Sequence, residues 1–358
     1  MAKITSENSR GGKERSPPAA DIYIARSLRN LKKYSGSLRP FTVVPFLSYG
    51  CDRRAILCGR VIENLETGSP KTEDPWWRNL RNMIRTFLRA RAENALLRAS
   101  VNGESVAIKS DAIGYFHREV VLERSLEQPG WVDVDFSLDP LPGFATLDRQ
   151  QGRILSLPSS SPSGIGIISD IDDTILETYA TDLLMSAKMT FINNSTTRIA
   201  IAGMASLYQT ITQSTSVYQP VFYITSSSWS LYSLMSDFLD LQSFPRGPLL
   251  MQKVGMTNNK LMRKGHGHKT RKIERILDIT RNQRFILIGD NGQADRQIYH
   301  EIANRYPDRI AAVCIREARR KSSSFTADYD MLGIPYFEFE DGFILQDKLR
   351  TTGILDQS

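Results

Sequence analysis

The 358-residue chain is poor in cysteine and histidine, and neither residue type occurs at the spacing of a disulfide framework or a zinc site. The cysteines are Cys51, Cys58 and Cys314, and the only close pair among the four histidines is His266 and His268. An odd number of cysteines without regular spacing is typical of a reducing compartment. Zinc sites need about four nitrogen or sulfur ligands, so the histidine pair alone does not predict one.

Long apolar runs are also missing. No segment approaches the roughly 20 apolar residues that a membrane-spanning helix needs. The first residues lack the apolar core of a secretory signal, so we expect a cytoplasmic protein. With 41% hydrophobic and 24% charged residues, the composition is that of a globular protein with room for two domains.

Acidic residues are fewer than basic ones, and the formal net charge is +7. A basic protein favours polyanionic partners, either nucleic acid or an anionic membrane surface, and charge alone does not choose between them. Residues 1–21 form a polar, basic segment that we predict to be a disordered tail.

Residues 22–150 have mainly the periodicity of β-strands. Val132, Val134 and Phe136 alternate with polar residues, which is typical of a half-buried strand. Similar short segments recur through this range, so we predict a small β-sandwich-like domain.

A basic amphipathic helix over residues 76–98 is predicted inside this domain. One interpretation is a helix that lies on an anionic membrane surface. The other is a helix whose apolar face packs on the sandwich while its arginines are solvated. The apolar positions are Trp76, Leu80, Met83, Ile84 and Phe87, and the arginines are Arg78, Arg81, Arg85, Arg89, Arg91 and Arg98.

Residues 151–163 are predicted to be a linker because they lead into a serine- and proline-rich stretch. Beyond it, over residues 164–358, short apolar runs alternate with helical patterns. This alternation predicts an α/β domain built on a doubly wound parallel sheet. The predicted strands are 165–168, 220–224, 248–251, 285–288 and 310–315.

Three carboxylates follow the first of these strands: Asp170, Asp172 and Asp173. Ligands of open α/β sheets bind at the carboxyl ends of the strands. Crowded carboxylates repel one another unless they share a cation, and Mg²⁺ prefers such oxygen ligands. The cluster therefore suggests Mg²⁺-assisted phosphate chemistry, with a solvated acidic turn as the alternative.

Three further polar clusters follow later elements. Thr225 and Ser226 begin a serine run after the second strand, where hydroxyls and amides form a phosphate cradle or cap a helix. Lys269 precedes a helix and would offset the charge of a phosphoryl group. Asp290 ends a strand and is a candidate metal ligand, whereas Asp295 is suited to hold Lys269 or a metal-bound water.

Taken in chain order, these clusters resemble the four motifs of the haloacid dehalogenase superfamily. The resemblance covers roughly residues 164–316. The matching positions are, in motif order, Asp170, Asp172 and Thr174; Thr225; Lys269; and Asp290 and Asp295.

A narrower resemblance is to the actin-patch-protein family of Mg²⁺-dependent phosphatidate phosphatases. The serine run at 226–228 departs from the Asn-Ser-Pro expected there, which bears on substrate preference. The segments that carry the resemblance are 170–174, 222–232, 244–248, 267–269 and 289–295.

The resemblance implies that phosphatidate is hydrolysed to diacylglycerol and phosphate. Asp170 would be the nucleophile that forms an aspartyl-phosphate, and Asp172 would be the general acid and base. Mg²⁺ would be held by Asp170, Asp290 and the backbone carbonyl of Asp172.

The remaining positions are expected to serve the substrate. Thr225 and Ser226 would bind phosphoryl oxygens, Thr174 would support the loop beside them, and Lys269 would balance charge during transfer. Asp295 is expected to support this set.

The implied partner is a phospholipid at an anionic membrane surface, so a peripheral membrane location is expected and DNA is not. Two alternatives stay open. One is a phosphatase for another phosphomonoester, such as a nucleic-acid end or a soluble metabolite. The other is a non-catalytic membrane-binding module on a phosphatase scaffold.

Overall fold

The computed structural model describes residues 19–64, 89–147, 149–160, 164–176, 200–214, 217–252, 266–291, 294–317 and 329–355. The chain divides into two compact units, the first mostly up to Ser156 and the second mostly from Leu157 onward. Each unit contains a β-sheet and helices, which confirms a mixed α/β protein.

In its described residues, the first unit contains one helix and seven strands, and the strands form a single hydrogen-bonded sheet. The strand order is β1-β2-β7-β6-β3-β4, with β5 paired to β2. Among these pairs only β2 with β7 is parallel. The elements are α1 (Ala19–Tyr34), β1 (Phe41–Pro45), β2 (Ser48–Glu63), β3 (Leu96–Val101), β4 (Glu104–Lys109), β5 (Tyr115–Leu126), β6 (Gly130–Leu138) and β7 (Gln150–Ser156).

The predicted alternation in β6 is confirmed, since Val134 and Phe136 are buried while Asp133 is exposed. The inward side chains join one apolar cluster that includes Phe41 and Leu57. Because the described strands form one connected sheet, the arrangement of two facing sheets stays a prediction.

Three predicted boundaries differ from the structure. Ala19 already begins α1, so the helix starts inside the range assigned to the tail. Strand β7 occupies most of the first half of the predicted linker, because its apolar residues complete the sheet beside β6. The predicted helix over 76–98 lies largely outside the described residues, and its end is wrong: Arg98 lies on β3, where Leu97 and Ala99 point into the core.

The second unit contains a six-stranded sheet in the order β10-β9-β8-β11-β12-β13. The pairs β8–β9, β8–β11, β11–β12 and β12–β13 are parallel. The elements are β8 (Ile165–Asp170), α2 (Met204–Gln213), β9 (Val221–Ser228), α3 (Tyr232–Leu241), β10 (Leu249–Gln252), α4 (His266–Ile279), β11 (Arg284–Asp290), α5 (Asp295–Arg305), β12 (Ile310–Arg316), β13 (Tyr336–Phe339) and α6 (Gly342–Thr351).

The central strands of this sheet are apolar along most of their length because they are buried on both faces, and charged residues occur at their ends. Every residue of β12 is buried, as is every residue of β11 after Arg284. Helix α4 contributes Ile273, Ile276 and Leu277 to the core. In the part of the chain that the structure describes, no helix is both long and apolar enough to cross a membrane.

Candidate active site

The candidate catalytic residues meet at the carboxyl edge of the second sheet. Asp170 is the last residue of β8 and pairs with Ile224 of β9, next to Thr225. Asp290 is the last residue of β11, which lies on the other side of β8. The register of three parallel strands therefore brings together side chains that are more than 100 positions apart in the chain.

Lys269 lies between two carboxylates. Its Nζ is 2.8 Å from Oδ1 of Asp170, and it also forms a close ion pair with Asp295. Burial by itself lowers the pKa of Lys269, but Asp170 and Asp295 outweigh that effect, and its pKa is raised. The surroundings of Lys269 therefore favour its charged form, and both Asp170 and Asp295 contact its ammonium.

Asp170 is completely buried. Burial raises its pKa well above the ordinary value; Lys269 opposes this effect, and the neighbouring carboxylates add to it. Thr174 Oγ1 donates to Oδ2 of Asp170 at 3.4 Å. The chemistry of a nucleophilic carboxylate requires the charged form, so a further positive charge nearby would favour it.

Three carboxylates could share such a charge. Oxygen atoms of Asp170, Asp290 and Asp295 all lie within 4.8 Å of one another, and all three side chains are buried. The donor set is composed only of oxygen, which suits Mg²⁺.

Asp172 lies in a hydroxyl-rich corner of the same site. Its Oδ2 accepts hydrogen bonds from Thr225 Oγ1 at 2.8 Å and from Ser226 Oγ at 3.4 Å. Burial raises the pKa of Asp172, and the Thr225 hydrogen bond opposes that rise. A buried carboxyl with a raised pKa is suited to proton transfer.

The loop that carries Asp172 turns sharply at Asp173, which has a φ of 57°. Aspartate tolerates this left-handed conformation better than most residues. The side chain of Arg316 holds the turn, because its Nη1 donates to the carbonyl of Asp173 at 3.0 Å and its Nε to that of Glu340 at 3.0 Å. Asp173 therefore shapes the loop through its backbone.

Two residues of the site escaped the sequence analysis. Arg316 ends β12, and nothing in its local sequence indicates a contact with Asp173. Lys272 donates to the carbonyl oxygens of Thr225 and Leu250, each at 2.9 Å. The spacing of Lys272 and Lys269 could have indicated that both face the site, since residues three apart on a helix share a face and Lys269 is on α4.

Comparisons with known proteins point to the same part of the chain. The family described as phosphatidate phosphatase APP1, catalytic domain, matches residues 165–317. Phosphatidate phosphatase APP1 of Saccharomyces cerevisiae is 34% identical over 158 residues, which are 44% of this chain and 26% of that protein. An uncharacterised protein of Schizosaccharomyces pombe is 25% identical over 162 residues, 45% of this chain and 26% of its own.

The chain thus spans about a quarter of the length of these two relatives. Among solved structures, a carbohydrate acetylesterase from Xanthomonas citri aligns over 76% of this chain and 68% of its own, with 12% identity and a TM-score of 0.26. That score is too low to support a shared fold. All the candidate site residues lie within the matched segment, and residues 165–317 are similar to the phosphatidate phosphatase APP1 catalytic-domain family.

Proposed function

We propose that this protein is a Mg²⁺-dependent phosphatidate phosphatase, which hydrolyses phosphatidate to diacylglycerol and phosphate. The observation that carries the proposal is the buried group of Asp170, Lys269, Asp290 and Asp295 inside a segment that matches this catalytic family. The fold that we propose for this segment is the doubly wound sheet of the haloacid dehalogenase superfamily. The strand order supports this proposal. From the central pair β8 and β11, strands β9 and β10 follow on one side and strands β12 and β13 on the other.

In the proposed mechanism, a carboxylate oxygen of Asp170 attacks phosphorus and the bond from phosphorus to the diacylglycerol oxygen breaks. The product of this step is an aspartyl-phosphate, which divides one difficult displacement into two easier ones. Lys269 stabilises the negative charge on the transferring phosphoryl group, and Asp295 holds its ammonium in place.

Asp172 serves both steps as the proton carrier. It donates a proton to the leaving oxygen and then takes one from the water that attacks the aspartyl-phosphate. Thr225 holds Oδ2 of Asp172, whereas Oδ1 accepts no hydrogen bond from the described residues and is available for transfer. Ser226 and Thr174 would help to bind the phosphoryl group, and their hydroxyls lie 3.4 Å from Asp172 and Asp170 respectively.

The excess negative charge of the site favours binding of a divalent cation. Four buried carboxylates (Asp170, Asp172, Asp290 and Asp295) surround Lys269, and Lys272 lies nearby, which leaves negative charge in excess. Asp170, Asp290 and the backbone carbonyl of Asp172 would hold Mg²⁺, which supplies positive charge that keeps Asp170 ionised and offsets the phosphoryl oxygens.

We further propose that the substrate is met at a membrane surface by a peripherally bound protein. The net charge of +7 favours an anionic leaflet. The name of the Saccharomyces cerevisiae relative specifies phosphatidate, which is such an anionic lipid.

The test compares phosphate release from phosphatidate in mixed micelles by the wild type, Asp170→Asn and Asp173→Asn. We expect Asp170→Asn to lower kcat at least about 1000-fold, because the nucleophile is lost. Asp173→Asn should stay within about threefold, because asparagine also tolerates the left-handed turn. EDTA should stop turnover, and added Mg²⁺ should restore it.

Equal turnover by Asp170→Asn and the wild type would refute the assignment of Asp170 as the nucleophile. Turnover of soluble phosphomonoesters at a higher kcat/KM than phosphatidate would favour a different phosphatase instead. Binding to liposomes without turnover under any metal would favour a non-catalytic module.

A further inference from the structure

Lys272 is a second, partly buried lysine that α4 brings to the site. It lies three residues after Lys269, so the two side chains leave the same face of the helix. The Nζ of Lys272 donates to two backbone carbonyls, of Thr225 on β9 and of Leu250 on β10, each at 2.9 Å. One side-chain amine therefore joins α4 to two neighbouring strands of the sheet.

Thr225 connects this anchor to the proposed chemistry. Its hydroxyl donates to Oδ2 of Asp172 at 2.8 Å and accepts the N–H of Ser227 at 3.0 Å. Both hydrogen bonds depend on where the backbone of Thr225 lies, and Lys272 contacts that backbone directly. A displacement of Thr225 would therefore change the partner of Asp172 and the start of the serine run together.

We propose that Lys272 is a positioning residue, which fixes the backbone of Thr225 so that the Thr225 hydroxyl orients Asp172 for proton transfer. This inference rests on the proposed function, because it assigns Lys272 to the same reaction. Nothing in the geometry places Lys272 on the substrate itself.

The surroundings of Lys272 explain why an amine is suited to this place. Burial is the main influence that lowers its pKa, to about 7; Lys269 adds to the decrease, and Asp170 and Asp172 oppose it. A neutral amine and an ammonium both carry at least two N–H donors, so either form can serve both carbonyls. The bridge is therefore compatible with either protonation state of Lys272.

The experiment compares Lys272→Met, Lys272→Arg and the control Arg271→Met in the full chain. Methionine keeps the length and loses the donors, whereas arginine keeps several donors. Arg271 is exposed on the same helix. We expect Lys272→Met to lower kcat for phosphatidate by about 10- to 100-fold, because a misoriented Asp172 loses part of the roughly 100- to 10,000-fold contribution of general acid–base catalysis.

The distribution of the loss between kcat and KM separates the roles. A positioning role predicts that KM for phosphatidate changes less than about threefold in Lys272→Met, and that Lys272→Arg recovers most of kcat. Arg271→Met should match the wild type. A role confined to stability would instead lower the melting temperature of Lys272→Met and leave kcat per folded molecule unchanged, and that result would overturn the inference.

A crystal structure of Lys272→Met gives a readout that needs no turnover. The inference predicts that Thr225 Oγ1 moves out of hydrogen-bond range of Asp172. If that 2.8 Å contact persists, the inference fails, whatever the substrate. If the wild type does not hydrolyse phosphatidate, the proposed function fails, and the crystal structure together with kcat on p-nitrophenyl phosphate still decides the role of Lys272.

Discussion

At the scale of single residues, the site depends on charges that are removed from water and paired. Lys269 contacts Asp170 and Asp295 while almost fully buried, at 8% exposure. Removing one partner of such a group leaves an uncompensated buried charge, which is strongly destabilising. The same desolvation strengthens the electrostatic interactions on which phosphoryl transfer depends. Charge pairing here therefore links stability to the proposed reaction.

Gly289 offers a direct test of how closely Asp295 must be placed. A Cβ at Gly289 would lie 2.5 Å from Oδ2 of Asp295 and 2.7 Å from a ring carbon of Tyr299. We expect Gly289→Ala to displace Asp295 from Lys269, lower the free energy of unfolding by about 1–3 kcal/mol and reduce kcat at least about tenfold. Urea denaturation and phosphate release measure the two effects.

Gly267→Ala is the control, because a Cβ there meets nothing within 4 Å and the residue is helical. Wild-type stability and turnover in Gly289→Ala would mean that Asp295 has more room than its contacts indicate.

Lys272 predicts a pH dependence of stability whose sign follows from its lowered pKa of about 7. Between pH 7 and the ordinary lysine pKa near 10.4, the unfolded chain binds a proton that the folded protein does not. This contribution to the free energy of unfolding therefore rises with pH across that window and is flat below it. In metal-free protein, the difference between the wild type and Lys272→Met should grow from pH 7 to pH 9 in urea titrations. A difference that stays constant would contradict the lowered pKa.

At the scale of elements, strands with a continuous apolar pattern were easier to predict than short, partly exposed strands. The five predicted strands of the second sheet are all present, because each is a short apolar run bounded by turn residues. Strand β13 was not predicted: it has four residues, and three of them are only partly buried. The arginine-rich range was assigned a helix up to Arg98, but cross-strand pairing with β4 and β6 outweighs that helical spacing.

Helix α1 of the first unit is held by a buried carboxylate, and this contact predicts a stability effect. Glu63 is fully buried and accepts hydrogen bonds from Lys32 Nζ at 2.5 Å and from the N–H groups of Arg39 at 3.0 Å and Ala90 at 3.1 Å. Glu63→Gln removes the charge and faces these donors with an amide N–H₂. We expect a loss of about 1.5–3 kcal/mol in the free energy of unfolding.

Urea denaturation measures this loss, and faster trypsin cleavage within α1 should accompany it. Glu127→Gln, at an exposed position, is the control and should lie within about 0.5 kcal/mol of the wild type. If Glu63→Gln changes the free energy of unfolding as little as Glu127→Gln does, the contact between Glu63 and Lys32 does not anchor α1.

At the scale of the whole molecule, the catalytic family accounts for less than half of the chain. Residues 165–317 match it, whereas the first unit builds a separate sheet around its own apolar cluster. The chain as a whole carries a net charge of +7. Net charge acts through association with anionic partners rather than through the fold.

The charge predicts salt-dependent binding to lipid vesicles. We expect the protein to sediment with phosphatidylcholine vesicles that contain phosphatidate, and binding to fall several-fold between about 0.1 M and 1 M salt, as the screening length shortens from about 10 Å to 3 Å. Vesicles of phosphatidylcholine alone are the control. Binding that is equal on both vesicles, or insensitive to salt, would exclude electrostatic attraction as the basis of membrane association.

Local pattern was enough to identify the strand-ending carboxylates, the helix that contains Ile273 and the resemblance to a phosphatase family. These features depend on neighbouring residues, whose side-chain directions follow from the periods of strands and helices. Lys269 was expected just before the helix that contains Ile273, whereas it lies on that helix, α4. The sequence had left open whether Asp295 holds Lys269 or a metal-bound water. The pairing of Lys269 with Asp170, the bridge from Lys272 to two strands and the hydrogen bond from Arg316 to Asp173 became visible only in the folded chain. Such contacts join positions that are up to 143 residues apart, and they depend on sheet register and burial, which no local spacing encodes.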